Sequence, residues 1–191
     1  MTTGDPDQRL EALRAANPGS SHADALARHW LEAAGGRLLP RKRDIRPERL
    51  GRALARVIIY DFEHRDMIRF RLAGSYFRSI HGRDLTGSNY LDLMRGDDRR
   101  KAAERLFRMV EHPCGILTTN TNRFEKGREG EFRAFGLPLT DDEGRVTHSI
   151  HVSDYMSGPA IPAFGKVESM GAAASTWIDI GAGVPALAPP V

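Results

Sequence analysis

The chain reads as an α+β domain: a five-stranded antiparallel sheet, with the helices of the domain inserted between strands 2 and 3 and one flanking helix ahead of them. Three observations predict this. Val57–Phe62 and Ile68–Leu72 are β-branched and aromatic runs separated by the polar turn His64-Arg65-Asp66. The clearest apolar repeat of the chain, from Gly96 to Val110, has helical spacing. Three more strand-like runs follow it, Gly115–Phe124, Glu131–Leu139 and Val146–Val152.

Composition sets the frame. A chain of 191 residues is one ordinary domain plus tails. Its 40% hydrophobic and 28% charged residues suit a globular protein, and no apolar run approaches the roughly 20 residues of a membrane span. The first 20 residues lack the apolar stretch of a secretory signal, and a lone Cys114 allows no internal disulfide, so a cytoplasmic location is expected. The expected organisation is a mobile arm over 1–19, a flanking helix over 20–36, a domain over 37–156, and a disordered tail over 157–191 rich in Gly, Ala and Pro.

Taken in order, Ser21 offers a helix N-cap with Asp24 three residues on. Ala23, Leu26, Ala27, Trp30, Leu31 and Ala34 then form one apolar stripe, and Gly35-Gly36 ends it. Such a stripe must pack on its own sheet or on a second copy. Leu26, Trp30 and Leu31 are therefore candidate dimer contacts. The next segment is basic, with Arg41, Arg43, Arg46 and Arg49 as a candidate patch for an anion or an acidic partner, and Pro47 suits the first position of a helix. In the second strand Ile68, Phe70 and Leu72 alternate with Arg69 and Arg71, so the first three should share the buried face. Tyr76, Phe77 and Ile80 give a short helix one apolar side, closed at Gly82. On the long helix Ala103, Leu106, Phe107 and Val110 form the expected buried face, flanked by Ala102 and Met109, while Arg105 falls with the wet residues. The run GILTTNTNRF is only half apolar, as an exposed or ligand-facing strand would be.

The strand-turn-strand of Arg56–Gly74, the following AGSYFRSIHGRDLTG, the Leu137-Pro138-Leu139 run and the strand VTHSIHVSDY together resemble a PAS domain. The entry Pro40-Arg41-Lys42-Arg43-Asp44-Ile45-Arg46-Pro47 is similar to that of a bacterial subgroup in which this domain is almost the whole protein. The resemblance covers Leu38 to Tyr155 and implies a PAS-like sheet and a sensory or interaction role in bacterial signal transduction. It implies a partner signalling protein, a second copy, or a small organic ligand. The ligand cavity would lie between sheet and helices, with Phe70, Leu72, Tyr76, Phe77, Ile80, Leu106, Phe107 and Met109 as candidate lining.

Other chemistry finds little footing. The chain has no GxSxG, HExxH, CxxC or nucleotide loop, so no catalytic role is expected. His148 and His151 have opposite parity on one strand, and His112 with Cys114 falls short of four zinc ligands, so no metal is expected. Flavin photoreceptors of the resembled fold carry a cysteine fourth in the GRNC motif. Leu85 stands there, so covalent flavin chemistry is not expected. Haem relatives use a histidine on the crossing helix, which here has none before His112, and haem is not expected either. The basic segment leaves an alternative, a nucleic-acid or nucleotide binder, although no helix-turn-helix or aromatic interleaving accompanies it.

Overall fold

The computed structural model describes residues 5–157 and 165–191. One sheet organises the chain, and all its neighbouring strands are antiparallel. In chain order the strands are β1 (Val57–His64), β2 (Met67–Ala73), β3 (Gly115–Phe124), β4 (Arg128–Thr140), β5 (Val146–Ser157) and β6 (Val167–Ile178). Their spatial order is β2-β1-β5-β4-β3-β6. The helices are α1 (Pro6–Ala16), α2 (Ser21–Ala34), α3 (Ser75–His81) and α4 (Gly96–Glu111), and α3 and α4 lie between β2 and β3 as expected. Two 3-10 segments, Pro47–Arg56 and Tyr90–Leu93, complete the helical side.

The sheet separates two cores. On one face α1, α2 and the Pro47–Arg56 segment bury Leu13, Leu26, Ala27, Trp30 and Leu50 against Val57, Ile59, Leu137, Ile150 and Val152. On the other, α3, α4 and the Tyr90–Leu93 turn cover Ile58, Tyr60, Ile68, Phe70 and Phe132. Period two along each strand feeds both: Val57 and Ile59 go one way, Ile58 and Tyr60 the other.

Residues Pro6–Ala16 form a docked helix where a mobile arm over 1–19 was expected, and the part of that expectation covering 1–4 lies outside the described residues. Asp5 caps α1 by accepting from the Asp7 amide at 3.1 Å, and Pro6 needs no amide partner at the first turn. Leu13 is buried against α2, and the Arg9 guanidinium lies 5.3 Å from the Trp30 ring while donating to the Leu38 carbonyl at 2.7 Å. One fully buried leucine, the partly buried Leu10 and Ala16, the stacked Arg9 and an Arg14–Asp24 ion pair hold this helix, an apolar pattern too sparse to show in the sequence.

Helix α2 starts one residue earlier than expected, because Ser20 and not Ser21 caps it through the Ala23 amide at 2.9 Å. Its stripe is consumed within the chain. Leu26 and Trp30 are fully buried, Leu31 is half-buried, and the Trp30 indole N–H donates to the Pro138 carbonyl at 2.9 Å. The expected dimer contact at Leu26 and Trp30 is thus corrected: both already pack on the sheet of their own domain.

The C-terminal region also departs from expectation. The expected disordered tail over 157–191 contains β6, which pairs with β3 from Phe124↔Val167 to Gly115↔Ile178 and makes the sheet six-stranded. The part of that expectation covering 158–164 lies outside the described residues. Most side chains of β6 are at least partly exposed, so backbone ladder bonds hold much of it, with Val167, Met170, Trp177 and Ile178 packing on the apolar clusters. A strand of Gly, Ala and Ser has no alternation to betray it. Beyond β6, the Trp177 indole N–H donates to the Leu187 carbonyl at 2.8 Å, folding the chain end back along the domain.

Candidate functional site

The helical face of the sheet is where polar side chains are buried. In β3, period two aims Thr118, Asn120 and Asn122 at the helices, all nearly inaccessible to solvent. In β5 the same face carries Ser149, His151 and Ser153. A core that needed only packing would place Val or Leu at these positions. The half-apolar composition of GILTTNTNRF therefore marked the site-facing strand.

Helix α4 adds the charge. Its buried residues are Ala102, Arg105, Leu106, Met109 and Val110, a stripe rotated from the expected one. Ala103 and Phe107 sit at its margin, and Phe107 packs edge-on against Phe62 at 5.4 Å. Arg105, expected in water, is only 3% exposed. Its spacing of three from Ala102 and four from Met109 was the legible signal, overridden by its charge. Its guanidinium donates to the Pro190 carbonyl at 2.7 Å. No carboxylate among the described residues pairs with it.

These groups converge on two adjoining cavities of about 50 Å³ and about 30 Å³. Ile58, Tyr60, Phe77, Tyr90, Asn120 and Ser153 line both. Arg105, Thr118 and His151 border the larger, and Asn122, Phe70, Ile80, His81 and Leu85 the smaller. Of the expected lining, Phe70, Phe77, Ile80 and Leu106 are in place. Four are not. Leu72 faces the opposite core, because the β1–β2 register shifts between Ile59 and Tyr60 and leaves Arg71 as an extra residue, turning Leu72 over. Tyr76 lies outside under the Arg56 guanidinium, 4.0 Å from its ring. Phe107 faces Phe62, and Met109 packs with Val110, Cys114 and Ile116.

The aromatic wall is continuous. The Tyr60 ring lies 5.0 Å from Tyr90, 5.1 Å from His151 and 5.2 Å from Phe70. Burial holds the Tyr60 phenol well above its ordinary value, and raises Tyr90 against the pull of the Arg105 guanidinium. Burial lowers His151 to about 3 and His81 to about 4, so both imidazoles are neutral at pH 7. A His151 ring nitrogen shares a 2.8 Å hydrogen bond with the Ser149 hydroxyl. The ring has room only because residue 136 is glycine: a Cβ there would lie 2.1 Å from the imidazole Cε1.

No carboxylate of the described residues bonds His151, whose ring nitrogen meets the Ser149 hydroxyl. His148 and Asp61, 2.7 Å apart, and His22 and Asp154, 2.6 Å apart, tie separate elements together away from the cavities. Among the described residues no three His, Cys, Asp or Glu converge to hold a metal. Cys114 is buried and its thiol is pushed up to about 12, the opposite of a reactive cysteine. Leu85, in the place of the photoreceptor cysteine, lines the smaller cavity. In the basic segment, Arg43 meets Asp142 at 3.3 Å, Arg41 is half-buried beside Thr140, and Arg46 and Arg49 are exposed.

The order of strands, the helices between β2 and β3, and the cavity beneath them define a PAS-type domain. The PAS domain family matches residues 19–151, well over half of the chain, and the chain belongs to that family. Among solved structures it is similar to the light-state LOV domain of the blue-light photoreceptor Aureochrome1, with 16% identity and a TM-score of 0.42 over 58% of this chain and 88% of that one. It is also similar to a Rhodobacter sphaeroides LOV protein, with 15% identity and a TM-score of 0.44 over 56% of this chain and 61% of that one. A third similar structure is VqmA bound to DPO, with 14% identity and a TM-score of 0.39 over 52% of each chain. No curated protein matches the chain. No helix among the described residues is long and apolar enough to cross a membrane.

Proposed function

We propose that this chain is a sensory and interaction module of bacterial signal transduction, which takes a small ligand between its sheet and helices and presents the result to a partner protein, with no catalysis of its own. One observation carries this reading. The cavity lining combines a buried arginine, two buried asparagines, two neutral histidines and two tyrosines in a protein interior. Burying such groups costs free energy unless each is satisfied. Shape-filling alone would be served better by apolar side chains, as it is by Val57, Ile59, Leu137, Ile150 and Val152 on the opposite face of the same strands. Apolar walls with a few convergent polar groups are what a small-molecule site requires.

The test is native mass spectrometry and an absorption spectrum of the protein purified from its host. A small-molecule adduct lost on denaturation is the expected result, and a flavin or haem would declare itself in the visible range. Partner binding is then compared with and without the recovered molecule, and a change in affinity is expected. If no adduct is found, and no fraction of a host metabolite extract raises the melting temperature, the ligand-sensing role is wrong.

A further inference from the structure

The cavity lining is unbalanced in charge. Arg105 is a permanent cation, and among the described residues no carboxylate lines either cavity. A guanidinium withdrawn from water without a counter-ion is costly, and here its partners, the Pro190 carbonyl and the Tyr90 phenol, are both neutral. A second imbalance lies in the adjoining cavity. The Asn122 side-chain oxygen is buried with no hydrogen-bond partner, in a residue only 3% exposed. One end of the site lacks an anion, and the other lacks a donor. The space is small. At about 10–15 Å³ for each ordered water, cavities of about 50 Å³ and about 30 Å³ suit a molecule of a few heavy atoms.

Resting on the sensory reading above, we propose that the site takes a short hydroxycarboxylate, its carboxylate on Arg105 and its hydroxyl donating to Asn122, and that binding draws Arg105 away from Pro190. A carboxylate is a stronger acceptor for a guanidinium than a peptide carbonyl is, and can bind it through two oxygens. The Pro190 contact and the Trp177–Leu187 bond both hold the segment after β6 against the domain. Loss of the first therefore loosens residues 179–191 and gives the partner something to read.

The experiment titrates the full chain with L-lactate, lactamide and propionate by calorimetry, and follows hydrogen exchange over 179–188. Lactate is expected to bind at least about tenfold more tightly than lactamide, because the lost contact is to a charged group. Propionate, lacking the hydroxyl, is expected to bind several-fold more weakly than lactate. Arg105→Gln should abolish the preference for acid over amide. Asn122→Leu should abolish the preference for lactate over propionate while leaving the acid preference, so the proposal stays testable if the first variant folds poorly. Saturating lactate should speed exchange over 179–188. Equal binding of lactamide and lactate overturns the proposal while leaving the sensory role intact, and so does an adduct in native mass spectrometry that is not an acid. No binding of any of the three probes also overturns it. Unchanged exchange at saturation overturns the release of the chain end.

Discussion

The two faces of one sheet are built for different purposes. On the face under α2, Leu26, Trp30, Val57, Leu137, Ile150 and Val152 are at most 1% exposed and apolar apart from the Trp30 N–H, which has its carbonyl, and the buried polar residues of this side, Asn17 and His29, belong to the helical layer and not to the strands. The face under α3 and α4 is also buried but carries Arg105, Asn120, Asn122, His151 and Ser153 among its apolar residues. Since the same strands supply both faces, strand propensity cannot account for the difference. The first face is packed by apolar contact, and the second holds polar groups that packing alone does not call for.

That contrast can be broken most forcefully from the apolar side. Trp30→Ala removes a fully buried indole and strands the Pro138 carbonyl, and should cost about 3–5 kcal/mol in urea unfolding. A loss under about 1 kcal/mol would mean that α2 is not the lid of this core.

On the polar face the largest expected effect is acid sensitivity. His151 has its folded value lowered to about 3, and His81 to about 4, from an ordinary 6.5. Between those values the unfolded chain binds the protons that the folded one refuses. Stability is therefore flat above about pH 6.5 and falls as pH drops below it, by up to about 1.4 kcal/mol per unit for each histidine. His151→Gln should reduce that slope by the share of one proton between pH 6.5 and 4.5, and an unchanged slope would show that His151 is not held neutral.

Gly136→Ala comes next. Its Cβ would lie 2.1 Å from the His151 ring, which must move, at a cost of about 1–3 kcal/mol. Chemical shifts of the His151 ring should change in the same variant. The smallest effect sharpens the comparison best. Asn122→Leu replaces a buried group lacking a partner by an apolar one of similar size, and should leave stability within about 1 kcal/mol of the parent, or raise it. Marked destabilisation would make Asn122 structural and the two faces alike.

Much of the fold was legible because periodicity is local. The hairpin, the short helix ending at Gly82 with its φ of 68°, and the long helix all follow from spacing within one element. The site was half legible. Phe70, Phe77, Ile80 and Leu106, which the PAS resemblance implied as lining, border the cavities, and the polar strand β3 stood out by composition. Arg105 was missed because charge was taken to mean solvent, although its helical phase placed it on the buried stripe. Leu72 was misplaced because a one-residue bulge reverses the alternation, and nothing in MIRFRLA records where the partner strand slips.

By itself, then, the sequence determined the kinds of element, their order and the family. Those depend on side chains a few residues apart, whose spacing decides helix or strand wherever the chain lies. Tertiary structure alone decided that β6 closes the edge of β3, that α2 is sealed against its own sheet, and that an arginine ends up inside. Each of these is set by long-range contact: ladder bonds between backbones far apart in the chain, the area of sheet left uncovered, and a carbonyl 85 residues away that receives the guanidinium N–H.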